Sequence, residues 1–225
     1  EFRYGSFVTD VLRDESRKPC GVVIANRGGR QGIVAKVIID ATDYAWVCRQ
    51  AGCQLSPWPG GKVRFERTVL TGSGKKIRGR PADLTSKVYT FEIDMRDFSF
   101  ASLAKAEQTA RDLTPAKGLL RGAESLFCVP PDRILCRKST DGSPAGFQPR
   151  DQERLYVLSG CADIPRAKAA MLLRPGGMTA IGAEIGRAAA QQAKALGRPG
   201  GVHLPGKTAA AVSKGDIREI LSGGR

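Results

Sequence analysis

The sequence predicts an α/β fold: parallel strands and a long helix frame an inserted β-rich, α+β region. Three observations carry this prediction. Residues 37–42 form an almost wholly apolar run, as in a strand buried on both faces. A second apolar run, LYVL at 155–158, closes on Ser159-Gly160 with an acid at Asp163, and a Pro-Gly-Gly turn at 175–177 then opens a long Ala- and Gly-rich helix. Between these parts, the stretch 53–150 carries alternating segments, one good helix and several breaker clusters.

The elements follow in order. Residues 7–12 and 21–26 read as strands, with a polar turn at 14–19 between them. Arg27-Gly28-Gly29-Arg30 reads as a tight turn, because paired glycines supply positive φ. A third strand covers 31–34 and a fourth 35–42. A helix is expected over 44–51, ended by Gly52 as its C-terminal cap. SPWPGG at 56–61 marks a crossing into the inserted region, where 62–70 and 87–93 read as strands. Residues 99–113 predict a helix: Ser99 can cap it, and Leu103, Ala106 and Ala110 share one face. Residues 124–129 read as a short strand stopped by Pro130-Pro131, and 140–149 as a polar loop. After the long helix, 197–201 is a breaker and 214–221 a last short helix. The expected organisation is 1–52 with 151–197 as one discontinuous domain, 53–150 as the insertion and 198–225 as a tail.

The formal charge is +14, from 36 basic and 22 acidic residues. Such an excess points toward anionic ligands. The basic residues are scattered, however, and the one dense cluster, at 75–80, has neither interleaved aromatics nor a binding-module signature, which argues against nucleic acid. No apolar run spans a membrane. The chain opens on Glu1-Phe2-Arg3-Tyr4, which reads as the interior of a longer protein. The six cysteines form no C-x-x-C pair and there is one histidine, so no metal site is expected. Reduced, buried thiols suit a cytoplasmic protein.

Strand, glycine turn with an acid, and helix start together form an arrangement suited to an anionic, ring-bearing cofactor. The carboxylate accepts hydrogen bonds from sugar-alcohol hydroxyls, and the free N–H groups of the helix start favour negative charge. Residues 201–208 also match G-x-x-x-x-G-K-[ST], the phosphate-cradling loop. That loop needs a buried strand feeding it, and a breaker stands there instead. G-x-G-x-x-G is absent, so no complete dinucleotide-binding half is present. Lone His203 offers no catalytic arrangement with a second anchor.

The succession GVVIANRGGRQ, AKVIIDAT, EQTARDLT, LFCVPPDRI, LYVLSGCADIPR and LLRPGGMTAIGAEIGRAAA resembles the C-terminal portion of FAD-dependent oxidoreductases of the glutathione-reductase-like flavoprotein class. The resemblance covers nearly the whole chain in element order. It implies the remnant of a Rossmann-like FAD-binding domain, with the insertion as a substrate or cap region. It also implies site residues: Val8 for the adenine, Ala41 and Thr42 near the diphosphate and adenosine, Gly160 and Asp163 for the ribityl chain, and the backbone of Gly177 and Met178 for the flavin N1/C2=O edge. Reduced flavin is negative at N1, which helix N–H groups stabilise. The chain departs from the family at Asp43, where glycine is usual, and at Cys161-Ala162, which separate Gly160 from Asp163. The family's leading glycine fingerprint is also missing. The implied activity is hydride transfer through flavin N5 with a small-molecule substrate. The implied partner is a preceding segment of the same protein, without which FAD binding is expected to be weak or absent. Arg166 and Arg174 could bind an anionic substrate or simply contact the FAD phosphates or solvent, and a structural role is the expectation for both. The alternatives are a non-catalytic basic module for a polyanion on the same fold, and a P-loop nucleotide-binding protein.

Overall fold

A computed structural model describes residues 2–56, 58–72, 76–77, 80–81, 85–115, 119–137 and 144–206. It is a mixed α/β structure with both parallel and antiparallel sheets.

The leading antiparallel sheet is built from β1 (Phe7–Arg13), β2 (Pro19–Asn26) and β3 (Gly29–Val34). β2 and β3 close through Arg27 and Gly28, with Gly29 at φ 94° and the Asn26 side chain accepting the Gly28 N–H at 2.8 Å. A bulge between Val8 and Asp10 shifts the β1–β2 register. The next strand, β4 (Ile38–Asp40), is shorter than its apolar run. Nor is it buried on both faces: Ile39 is 39% exposed. The sequence shows which residues suit a buried strand, but not whether a neighbour covers them.

Helix α1 (Trp46–Gln50) starts later than expected, because Ala45 stands in the left-handed region at φ 52°. The chain then forms β5 (Leu55–Ser56), β6 (Gly61–Thr71), β7 (Lys76–Ile77), β8 (Arg80–Pro81), β9 (Thr85–Met95), α2 (Phe100–Asp112), β10 (Leu119–Cys128) and β11 (Arg133–Ile134). β6 is the centre of an antiparallel sheet with order β10-β6-β9, while β5 pairs with β11 and β7 with β8. Along β6, Val63, Phe65 and Val69 are buried at alternate positions while Lys62 and Arg64 are exposed. Ser99 caps α2 by accepting the Ser102 N–H at 3.3 Å, and Leu103, Ala106 and Ala110 face the sheet. A 3₁₀ turn, Pro144–Phe147, precedes β12 (Leu155–Val157).

β12 runs parallel to β4, pairing Leu155 with Ile38 and Val157 with Asp40. All three of its residues are buried. Two helices follow: α3 (Arg166–Leu172), which periodicity did not suggest, and α4 (Pro175–Ala195). The Pro-Gly-Gly element is therefore the first turn of α4 itself and not a turn ahead of it. Proline suits that position, since its missing N–H would have no intrahelical acceptor there. Ile185 and Ala189 of α4 enter a core shared with β12, α1 and Val11. A second core lies between α2 and the β10-β6-β9 sheet. The first core also takes in Cys53, Ile134, Cys136 and Phe147 from the inserted stretch.

Lys75, Arg78 and Gly79 of the basic cluster, together with Lys207, Thr208 and the helix expected over 214–221, lie outside the described residues. The described part of the G-x-x-x-x-G-K-[ST] match pairs with β1: Arg13 and His203 exchange backbone hydrogen bonds at 3.0 and 2.9 Å. The His203 N–H is thereby already committed. Among the described residues no helix is long and apolar enough to cross a membrane, and no group of His, Cys, Asp and Glu is placed to hold a metal.

Candidate functional site

Because β4 and β12 are parallel, their C-terminal ends lie at the same edge. The Leu158 N–H donates to the Asp40 carbonyl at 2.8 Å, so the loops leaving at Ala41-Thr42 and Ser159-Gly160 start side by side. In open α/β sheets that edge is where ligands bind.

Asp40 organises the first loop. Its buried carboxylate accepts the Thr42 N–H (3.1 Å), the Thr42 hydroxyl (2.6 Å) and the Cys48 N–H (2.8 Å). Thr42 Oγ1 in turn accepts the Trp46 N–H at 2.8 Å. Asp40 and Thr42 thus satisfy the first donors of α1, where Ala45 offers no side-chain cap. The sequence carried a trace of this in an acid closing an apolar strand, but reading the site from its neighbours Ala41 and Thr42 passed over it.

A recess of about 490 Å³ opens beside this loop. Phe7, Ala41, Thr42, Trp46 and Phe100 line it, with Asp43 and Glu107 as its acids. Trp46 and Phe100 stack with centroids 4.5 Å apart and planes 9° from parallel. Phe7 and Phe100 are 76% and 68% exposed, a large apolar surface for a rim. Tyr44 sits under the rim: burial, then the neighbouring Cys128 and Glu107, pushes its phenol far up, so it stays protonated. Val8, next to Phe7, is half-buried against the first core.

The second loop is fixed by guanidinium groups. Arg166 donates to four carbonyls, those of Pro130, Gly160, Ala162 and Ile164, at 2.7–2.8 Å. Arg49 donates to the Tyr44 carbonyl and Asp132, both at 2.7 Å, and reaches Cys161 Sγ at 3.8 Å, which ties α1 to this loop. Neither role had a signal in the sequence. Burial, followed by the nearby Asp132, raises the Cys161 thiol to about 11.

The expected site residues fall into separate groups. Ala41 and Thr42 share the recess with Phe7. Gly160 and Gly177 meet instead around the end of α3: a Cβ on Gly160 would lie 2.8 Å from Leu173 and from Pro130, and one on Gly177 would lie 2.5 Å from the Met171 carbonyl. Both glycines therefore serve close packing within the chain. The Asp163 carboxylate is bound by Arg133 at 3.1 Å and faces Arg150 at 3.8 Å. The Met178 N–H, expected to face the flavin edge, donates to the Arg174 carbonyl at 3.1 Å. The first turn of α4 has no side-chain cap, so its uncommitted donors are the amides of Gly176 and Gly177. The aromatic-walled recess suits a flat ring, but its charged lining, Asp43 and Glu107, does not favour an anion, and the uncapped amides of α4 are not among its lining residues.

No family model matches the chain, and no curated protein matches it. Three solved structures align over most of it. BexE, described by its role in oxidation during BE-7585A biosynthesis, gives a TM-score of 0.40 at 12% identity, over 78% of this chain and 35% of its own. Glycine oxidase from Geobacillus kaustophilus gives 0.35 at 16%, over 81% and 48%. CabE, an aromatic hydroxylase from angucycline biosynthesis, gives 0.37 at 13%, over 84% and 42%. The chain thus spans less than half the length of these proteins. Likeness of this degree assigns neither a family nor a chemistry.

Proposed function

We propose that this chain is the C-terminal part of an FAD-dependent oxidoreductase. The observation that carries the reading is the parallel β4–β12 pair, which delivers two loops to one edge beside an aromatic-walled recess containing Ala41 and Thr42. Bound FAD supplies a hydride acceptor at N5. The chain's own residues would position the ring: Trp46 and Phe100 form a flat wall and Ala41 leaves room for a close approach, while the uncapped Gly176 and Gly177 amides, outside this recess, favour negative charge. A small-molecule substrate would meet the β10-β6-β9 region.

The second half of the proposal is that a preceding segment of the same protein completes the site. A parallel sheet is ordinarily covered on both faces and flanked by further strands. Among the described residues β4 pairs only with β12, and its Ile39 stands half out in solvent. An added strand and covering helix would resolve both features.

The test is flavin content. The protein is purified with and without the residues encoded ahead of Glu1, each in the presence of excess FAD, and visible absorbance and fluorescence are recorded. The extended protein is expected to carry one FAD, and Ala41→Trp, which fills the recess, to abolish it. The chain alone is expected to bind weakly or not at all. An extended protein that stays colourless overturns the flavin reading, and a stoichiometric yellow chain alone overturns the need for the added segment.

A further inference from the structure

A second recess, of about 400 Å³, lies on the face of the β10-β6-β9 sheet away from α2, between that sheet and α3. The cations Lys62, Arg64, Arg166 and Arg174 line it, with Glu66 as its only carboxylate. Its floor is apolar: Phe127, Val129 and Pro131, with Ala170 on the helix side. Its size is that of a small-molecule site.

The cations are arranged around the floor. The Arg174 guanidinium lies over the Phe127 ring at 4.9 Å and holds one oxygen of Glu66 at 3.0 Å. Arg64 approaches the other oxygen at 3.4 Å. Two guanidinium groups therefore share a single carboxylate, which leaves donors in each fork unspent. Arg166 enters from the helix side with no carboxylate partner among the described residues, and its buried Nε–H has no acceptor there. Lys62 faces Glu92 at 3.9 Å and Arg166 spends its terminal nitrogens on backbone carbonyls, so Arg64 and Arg174, which share Glu66, are the cations left to meet a molecule that is anionic at one end and apolar at the other.

We propose that this recess binds a small organic carboxylate, its carboxylate on Arg174 and Arg64 and its apolar part against Val129, Pro131 and Ala170, and that such acids are the substrate class. The substrate role rests on the oxidoreductase reading above, whereas the anion site stands on its own geometry. Glu66 is then an internal stand-in: it occupies the forks until a ligand carboxylate takes its place.

The test is calorimetric titration of the whole chain, without flavin, using benzoate and its neutral isostere benzamide. Saturable one-to-one binding of benzoate is expected. Benzamide, and benzoate with Arg174→Ala, are expected to bind roughly tenfold or more weakly, as for loss of a charge-assisted pair. Glu66→Gln is expected to tighten benzoate binding by freeing both guanidinium groups, a gain that damage to the fold would not produce. Absence of saturable benzoate binding, equal binding of benzamide, or Glu66→Gln without effect would each overturn the site. A failed titration does so whatever the flavin content of the extended protein. A colourless extended protein overturns the oxidoreductase reading whatever the titration shows.

Discussion

Gly177 separates two reasons for a glycine at the start of α4. One is room for a ligand; the other is close approach of α3. A Cβ at this position would meet the Met171 carbonyl oxygen at 2.5 Å, the Leu172 Cα at 2.9 Å and the Leu172 carbonyl oxygen at 3.0 Å. These are backbone atoms, so no rotamer change relieves the clash, and α3 and α4 must separate. Overpacking of this kind costs about 1–3 kcal/mol. Alanine returns up to about 1 kcal/mol through its better helix propensity. With the full return, the net for Gly177→Ala is a loss of up to about 2 kcal/mol, or as much as roughly 8 °C in Tm for a chain of this size. Gly186, in the same helix, has nothing within 4 Å of its Cβ position. There the propensity gain stands alone, and Gly186→Ala should raise Tm by about 2–4 °C. Paired thermal and denaturant unfolding of the two variants is the assay. If Gly177→Ala matches Gly186→Ala in stability, close packing of α3 is not what demands the glycine, and an effect confined to flavin binding would return the residue to the ligand.

Two further outcomes follow from buried and depressed charges. Arg49 and Asp132 pair at 2.7 Å with side-chain exposures of 17% and 10%, and the second Asp132 oxygen is buried without a partner among the described residues. Arg49→Ala strands that carboxylate and should cost about 3–5 kcal/mol by denaturant unfolding, with Arg49→Ala/Asp132→Ala recovering part of the loss; a double variant no better than the single one contradicts the stranded-charge account. Stability should also fall with acid. Burial pushes the Asp14 carboxyl up, but the Lys18 N–H and the Arg154 guanidinium outweigh it and hold the group below its ordinary value of 3.8. The Ser102 hydroxyl, with Ser99, does the same for Asp97. Carboxyls depressed on folding stabilise above their unfolded value, and the contribution is lost as pH drops through the folded one. Unfolding midpoints should therefore decline below about pH 4, less steeply in Asp14→Asn, and identical slopes would remove Asp14 from the account.

The fold was legible wherever a local pattern and its tertiary setting agree. The Asn26 to Gly29 hairpin follows from turn chemistry, and α2 from Ser99 and the Leu103, Ala106, Ala110 stripe, all three of which are buried. The two apolar runs marked β4 and β12 as strands, whereas their parallel pairing was implied by the family resemblance. The site was legible only in part, because its chemistry is decided by partners distant in sequence. Asp163 reads as a free loop acid until Arg133, thirty residues earlier, closes on it. Gly177 reads as an opening for a ligand until α3, a seven-residue helix too short for a periodic signal, fills the space. The same argument bears on the anion recess. Its cations sit on β6, on α3 and at the start of α4, more than a hundred residues apart at the extremes. In the sequence they appear as scattered surface charge, and only the placing of α3 beside the sheet brings part of a +14 excess around one recess. Concentrating like charge in this way opposes folding through mutual repulsion. Among the lining residues only Glu66 offsets it, by bridging Arg64 and Arg174. Where two forks share one carboxylate over an aromatic ring, an arriving acid relieves repulsion as well as forming hydrogen bonds. For that reason the geometry favours a carboxylate ligand over a neutral one of the same shape.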